Sequence, residues 1–154
     1  MKRHEALRPI SRDHHEVLML ARDLRRLATD PALEDASTRA SFRAQWGGWM
    51  GTFFAASSGA LAALTGPEEL HARAREGADR VSAGVADALA LEDVSRDTLA
   101  RLGQELHDEV RWRERVFFPA LEASASAAEL EALATRWRDV EATRARSRGT
   151  CEER

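Results

Sequence analysis

Hydrophobic residues recur every three or four positions along most of the chain, which is the spacing of one face of an α-helix. The spacing predicts five amphipathic helices, over about residues 12–29, 37–64, 67–90, 96–122 and 127–147. The second helix is predicted to face inward with Phe42, Trp46, Trp49, Phe53, Ala56, Ala60 and Ala63. The fourth is predicted to face inward with Leu99, Leu102, Leu106, Glu109, Arg113, Val116 and Ala120.

Small polar residues and prolines mark the predicted ends of these helices. Ser11 and Ser95 are candidate N-caps of the first and fourth helices, because a serine hydroxyl can accept a hydrogen bond from the free backbone amides there. Residues 65–68 (TGPE) and 126–129 (SAAE) have the spacing of a capping box. Pro119 is expected to kink or end the last turn of the fourth helix.

The second predicted helix contains the sequence WGGWMG at residues 46–51. Each glycine inside a helix costs about 1 kcal/mol relative to alanine, so the motif needs a reason. The favoured interpretation is close packing of this helix against a neighbour, with the tryptophans in the core. The alternative is a loosened helix that opens a pocket or receives a partner.

Five helices with short connections predict an all-α fold, an up-down antiparallel four-helix bundle with an additional C-terminal helix packed outside it. The length of 154 residues fits a single domain, predicted over residues 1–148 and followed by a flexible tail at 149–154. Cys151 is the only cysteine, which excludes a disulfide within one chain. A protein partner, and a monomeric or homodimeric state, both stay open.

The charge pattern argues against a nucleic-acid partner. The net charge is −3, and acidic residues are interleaved with the arginines, so no basic stripe that could follow phosphates is present. The sequence contains no run of eighteen apolar residues, so no membrane span is expected. The charged N-terminus lacks the apolar stretch of a signal peptide. A cytoplasmic location is therefore expected.

Four polar residues occupy predicted inward positions: His14, His71, Glu109 and Arg113. Burying a charged group is costly unless that group is paired or bound to a metal ion. Histidines and carboxylates that converge from several helices are also the way in which helical bundles build metal sites. The inward faces of three helices thus predict either a buried polar network or a metal site.

Two segments of the chain resemble the hemerythrin-like, cation-binding (HHE-type) domain family. Residues 2–15 (KRHEALRPISRDHH) are similar to the start of that domain, and residues 102–119 (LGQELHDEVRWRERVFFP) are similar to its last metal-binding helix. The resemblance covers about residues 1–122. It implies a four-helix bundle with a di-iron centre held by histidines and bridging carboxylates.

Carried over by position, the resemblance implies His14, or its neighbour His15, as the ligand from the first helix and His71 as the ligand from the third. The His-x-x-x-Glu pair of the second helix falls on Phe53 and Ser57, neither of which can ligate in that role.

The histidine and carboxylate of the fourth helix fall on Glu109 and Arg113, so the sequence departs from the family pattern at four of six positions. Glu114 lies one residue off the inward face and is a weaker candidate ligand.

Three interpretations follow. The favoured one is an eroded di-iron site in a metal-free scaffold, sensor or binding module, in which Arg113 pairs with Glu109 at i, i+4 and replaces the charge of an iron. In the second, His14, His71 and Glu109 bind one iron or other divalent cation, with oxygen or a small ligand at open positions. In the third, the bundle is a metal-independent enzyme that acts on a small anion. An enzymatic role is the less favoured prediction.

Overall fold

The chain folds almost entirely as α-helix, in a computed structural model that describes residues 2–152 and the side chains of residues 2–144. The helices are α1 (Arg8–Arg26), α2 (Asp35–Gln45), α3 (Gly51–Ala62), α4 (Glu68–Ala90), α5 (Arg96–Trp112), α6 (Phe118–Ser124) and α7 (Ala127–Glu152). Two π-helical turns, Trp46–Met50 and Arg113–Phe117, join α2 to α3 and α5 to α6. The described residues thus form five continuous helical segments and no strand, which confirms the all-α prediction.

The core lies between helices that pack side by side. The most extensive packing joins α1 to α5, while α4 packs against both α3 and α5, and α7 packs against α3. The largest fully buried side chains include Trp137, Arg113, Phe42, Phe117 and Phe118. Among the described residues, no helix combines the length and the apolar character needed to cross a bilayer.

The two π turns change which residues face the core. A π turn holds one residue more than an α turn, so every later position is rotated by about one residue. In the second helix the predicted inward residue Ala63 is exposed, and Met50, Ser57 and Leu64 are buried instead. In the fourth helix the predicted inward residue Val116 is 43% exposed, whereas Phe117 is buried. The predicted inward faces are correct before each π turn. After it, Phe53 and Ala60 are still buried as predicted, whereas Ala63 and Val116 are exposed because the inward face has shifted by about one residue.

Gly47 and Gly48 of the WGGWMG motif lie in the first π turn, and Gly51 is the first residue of α3. A Cβ atom built on Gly47 or Gly48 would meet no atom within 4 Å, so the prediction of close helix packing is wrong at these two positions. Gly48 has a non-helical backbone (φ −88°, ψ −130°), which interrupts the regular helix. The prediction that the two tryptophans of the motif lie in the core is partly right, because Trp46 is buried there and Trp49 is half-buried.

Two of the predicted helix caps are present. The Ser95 hydroxyl accepts a hydrogen bond from the Thr98 amide at 3.1 Å and caps α5. Ser126 and Glu129 form the predicted capping box, since each side chain accepts a hydrogen bond from the other residue's backbone amide. Glu129 also accepts hydrogen bonds from the amide and the hydroxyl of Thr65, at 2.8 and 2.7 Å. Hydrogen bonds from Ser126 and Thr65 lower the pKa of Glu129 to about 2.

The capping box predicted at residues 65–68 is wrong, because Thr65 turns toward Glu129 and Pro67 is the N-cap of α4. The cap predicted at Ser11 is also wrong. Helix α1 begins at Arg8, since the carbonyl of His4 already accepts hydrogen bonds from two amides and Pro9 presets the helical φ angle of the first turn.

Near the C-terminus, α7 continues to Glu152, so the backbone of residues 149–152 is helical. The side chain of Cys151 and residues 153–154 lie outside the described part of the chain, and the flexibility of the predicted tail stays a prediction. Pro119 lies in the first turn of α6, directly after the second π turn, and not in the last turn of a regular helix.

Gly103 allows α5 to approach α1 closely, and we expect Gly103→Ala to destabilise the fold. A Cβ atom at this position would lie 2.7 Å from Leu24 Cβ and 2.8 Å from the carbonyl oxygen of Ala21. Since backbone atoms cannot move aside cheaply, we expect a loss of about 1–3 kcal/mol in the free energy of unfolding, measured by urea denaturation. Gly59→Ala is the matched control, because its nearest neighbour would lie 3.8 Å away and alanine favours the helix by up to about 1 kcal/mol. Equal effects of both variants would contradict a close approach of α5 and α1.

Candidate functional site: a buried ion-pair network and a histidine cluster

The structure buries all four polar residues that the sequence placed on inward faces. The exposed fraction is 1% for His14 and Arg113, 2% for Glu109 and 7% for His71. His15 is exposed, which shows that His14 is the histidine of the first helix that faces the core. The prediction of buried polar groups on these faces is confirmed.

Glu109 is held between two arginines. Its Oε1 atom accepts a hydrogen bond from Arg113 Nε at 3.0 Å, which confirms the predicted i, i+4 ion pair. Its Oε2 atom accepts a hydrogen bond from Arg73 Nη1 at 2.8 Å, a contact that the sequence did not reveal. Arg73 comes from α4 and is only one-third exposed, with its guanidinium 4.3 Å from the centre of the Trp112 ring. Both carboxylate oxygens of Glu109 are therefore bound to guanidinium groups.

A glycine on the neighbouring helix makes room for this carboxylate. A Cβ atom built on Gly77 would lie 2.2 Å from Glu109 Oε2 and 2.4 Å from Oε1. Any side chain at position 77 would therefore displace Glu109 from its two arginines. The glycine stands inside α4 despite its helix cost, and this cost was the one sequence signal that could have indicated the close approach.

Arg113 is a buried cation with several weak partners besides Glu109. Its Nη2 atom donates a hydrogen bond to Ser58 Oγ at 3.3 Å, and its guanidinium lies 4.5 Å from the centre of the Phe54 ring. Among the described side chains, none accepts a hydrogen bond from its buried Nη1 atom. Burial lowers the pKa of Arg113 from its usual value, but the charge and hydrogen bond of Glu109 act in the opposite direction. An arginine keeps its proton in such surroundings, so the site contains a permanent positive charge.

Arg113 and Glu114, consecutive residues of the second π turn, have different partners. Arg113 binds Glu109, whereas Glu114 points toward α1. Its Oε1 atom lies 2.7 Å from His14 Nδ1, and its Oε2 atom accepts hydrogen bonds from Ser11 Oγ and Arg3 Nη2, both at 3.0 Å. Arg3 also pairs with Glu122. The expected weaker ligand thus lies at the centre of a second polar cluster, and Ser11 is a member of it and not a helix cap.

Burial keeps His14 neutral. Desolvation lowers its pKa below the ordinary value of 6.5, and the charge of Arg113 acts in the same direction, whereas Glu114 raises it. Burial also raises the pKa of Glu114, but the hydrogen bonds from His14 and Ser11 and the charge of Arg3 outweigh it and leave the pKa below its ordinary value. A neutral imidazole therefore donates from Nδ1 to an ionised carboxylate. His14 Nε2 is buried and has no hydrogen-bond partner among the described residues.

The other residues implied by the family resemblance make unrelated contacts. His71 Nε2 donates a hydrogen bond to the carbonyl oxygen of Leu64 at 2.9 Å. The Phe53 ring packs edge-on against the His14 ring, with 5.8 Å between ring centres. The Ser57 hydroxyl is fully buried and donates to the carbonyl of Phe54 in its own helix.

The structure does not bring His14, His71 and Glu109 together as one set of ligands. Among the described side chains, no three histidine, cysteine, aspartate or glutamate residues are grouped closely enough to hold a metal ion. Each of the three predicted ligands is held by a different partner, which is the physical reason for their separation. The residues also do not fit a di-iron centre, since Ser57 and Arg113 offer no bridging carboxylate and Arg113 places a cation beside Glu109.

A cavity of about 300 Å³ lies beside the ion-pair network, between α3, α4 and the second π turn. It is lined by Ser58, Gly59, Leu61, Ala62, His71, Ala74, Arg75, Ala78, Asp79, Arg113 and Phe117. Most of the lining is apolar, and Arg113 is the charged residue buried within it.

Comparison of the chain with protein-family models, with curated proteins and with solved structures found no match.

Glu109→Gln is expected to destabilise the protein strongly. The substitution keeps the shape of the side chain and removes the charge that compensates Arg113, so a buried cation loses its ionic partner. We expect a loss of about 3–5 kcal/mol in the free energy of unfolding, measured by urea denaturation at pH 7. Asp108→Asn is the matched control, since Asp108 is 63% exposed and its loss should change stability by less than about 0.5 kcal/mol. A Glu109→Gln variant as stable as this control would contradict the network.

His14 is expected to make stability fall in mild acid. Because the folded-state pKa of His14 lies below 6.5, the unfolded chain binds a proton there that the folded chain does not, and stability decreases as the pH falls below about 6.5. The slope contributed by one proton is at most about 1.4 kcal/mol per pH unit. Urea denaturation between pH 5 and 8 (about the range of histidine titration) should show a shallower slope for His14→Gln than for the unsubstituted protein. His15→Gln, at the exposed neighbour, should keep the steeper slope.

Proposed function

We propose that this chain is a hemerythrin-like, up-down four-helix bundle in which an ion-pair network stands in place of a di-iron centre, and that it works without a metal as a binding module. The observation that supports this proposal best is the pairing of both Glu109 oxygens, one with Arg113 and one with Arg73. A carboxylate bound in this way has no free oxygen for a cation, and two fixed guanidinium charges repel one.

The packing of the helices is compatible with the proposed bundle. In this arrangement α1, α2 with α3, α4, and α5 with α6 are the four bundle helices, and α7 is the additional one. The contacts of α1 with α5, and of α4 with both α3 and α5, join neighbouring members of such a bundle. Helix α7 packs mainly against α3 and reaches α1 through the ion pair of Arg144 with Asp13, which is compatible with a place outside the four.

A role in binding is supported by the cavity next to the network. A cavity of about 300 Å³ with one buried charged group and a mostly apolar lining resembles the sites in which proteins hold small molecules. The bundle supplies rigid helices around it, so the polar group is preorganised for a ligand.

One atom favours the alternative of a single bound cation. His14 Nε2 is an unprotonated ring nitrogen in the neutral tautomer, it is buried, and no described residue bonds to it. A metal ion could use that lone pair, as histidine ligands commonly do. The same ion would need Glu109 and His71 to leave their present partners.

The metal content of the purified protein tests the proposal. We expect far less than one iron per chain after expression with added iron, measured by elemental analysis, because Glu109 is paired with arginines. Two irons per chain would overturn the proposal, and one iron per chain would replace it with the single-cation alternative.

A designed variant tests the positions assigned by the resemblance. The combination Phe53→His, Ser57→Glu, Glu109→His and Arg113→Glu restores the ligand types of the family pattern, and it should gain iron. A single Arg101→Glu substitution, on the exposed surface of α5, is the control. It changes the charge by the same amount as Arg113→Glu, and it should not make the protein bind iron. A four-residue variant that folds and gains no iron would contradict the assignment of these positions.

A further inference from the structure

The cavity beside the network has a charge that its own residues do not balance. Arg113 and Arg73 bring two positive charges to the network, and Glu109 brings one negative charge. Arg73 reaches solvent with about a third of its side chain, whereas Arg113 is 1% exposed. Arg113 therefore shares its counter-charge, Glu109, with Arg73, and water screens the charge of Arg113 less than that of Arg73.

Arg113 also has an unused hydrogen-bond donor. Its Nε atom binds Glu109 and its Nη2 atom binds Ser58, while Nη1 is buried and no described residue accepts its proton. An unpaired N–H group on a buried guanidinium is costly, and a hydrogen bond between a guanidinium and an anionic oxygen is about twice as strong as one between neutral groups.

The remaining lining limits the kind of anion. Phe117, Leu61 and the alanines of α3 and α4 make most of the wall apolar, which suits a hydrocarbon body. Asp79 lies at the cavity, and Arg75 beside it is already paired with Glu68 at 2.9 Å. The Asp79 carboxylate repels an anion in proportion to its charge, so it disfavours a ligand with two or more negative charges more than a ligand with one.

We propose that the cavity between α3, α4 and the second π turn binds a small monocarboxylate with an apolar body, whose carboxylate group pairs with Arg113. The inference deepens the proposed binding function and rests on it, since it uses the arginine that stands in the fourth-helix metal position. The ligand carboxylate would pair with the guanidinium of Arg113, which lines the cavity, and would offset the net positive charge of the network. Its apolar end would contact Phe117 and the helix alanines.

Titration calorimetry with benzoate, and with benzamide as a neutral analogue of the same shape, tests this inference. Benzoate should bind with one site per chain, and benzamide should bind about tenfold to a hundredfold more weakly, because it cannot form the charged hydrogen bond. Arg113→Met should weaken benzoate binding by the same factor. Arg101→Met, at an exposed arginine of α5, is the matched control and should bind benzoate unchanged.

Ala78→Leu keeps the test decisive if Arg113→Met does not fold. Ala78 is a half-buried residue of the cavity wall on α4, so a leucine should fill the cavity, leave the ion pairs intact and abolish binding. Equal binding of benzoate and benzamide, no binding of benzoate, or unchanged binding to Ala78→Leu would each overturn the inference. Absence of benzoate binding in iron-free protein overturns only this inference, whereas stoichiometric iron overturns the proposed function.

Discussion

The bound pair of Glu109 and Arg113 is the interaction on which the interior of this protein depends. Two charges removed from water cost several kcal/mol each, and they are tolerated only when hydrogen bonds and opposite charge compensate them. Several otherwise unexplained features serve that compensation. Arg73 extends from α4 to the second carboxylate oxygen, Gly77 leaves the space that the carboxylate fills, and the Phe54 ring covers the Arg113 guanidinium. Such pairs add little to stability compared with apolar packing, so their value lies in positioning a charge.

The second π turn divides the polar interior into two clusters. Arg113 faces α3 and α4 while the next residue, Glu114, faces α1, since consecutive residues of a helix point in directions up to about 100° apart. Glu114 in turn joins His14 to Arg3, which connects the N-terminal segment to the same turn. One irregular turn therefore places a permanent cation and an anion paired with a neutral histidine on different faces of one helix.

Aromatic rings surround both clusters. Phe54 lies against Arg113, Phe118 stacks on the His14 ring with 5.4 Å between ring centres, and Phe117 packs edge-on against His71. Rings exclude water, which strengthens each ion pair and raises the cost of any unpaired group. The unpaired Arg113 Nη1 and His14 Nε2 atoms are notable for this reason. They are two of the four buried side-chain atoms without a hydrogen-bond partner among the described residues, and the others are Arg39 Nε and Trp137 Nε1.

The sequence by itself determined what depends on neighbours along the chain. The five helical segments, the caps at Ser95 and Ser126, the i, i+4 pair of Glu109 and Arg113, and the burial of His14 follow from local spacing and hydrophobic period. Only the tertiary structure decided which distant groups meet. Arg73 with Glu109, Glu114 with His14, and Thr65 with Glu129 join residues 36, 100 and 64 positions apart. The two π turns were equally invisible, because each one interrupts the regular helix period and local hydrophobic spacing does not mark where the interruption falls.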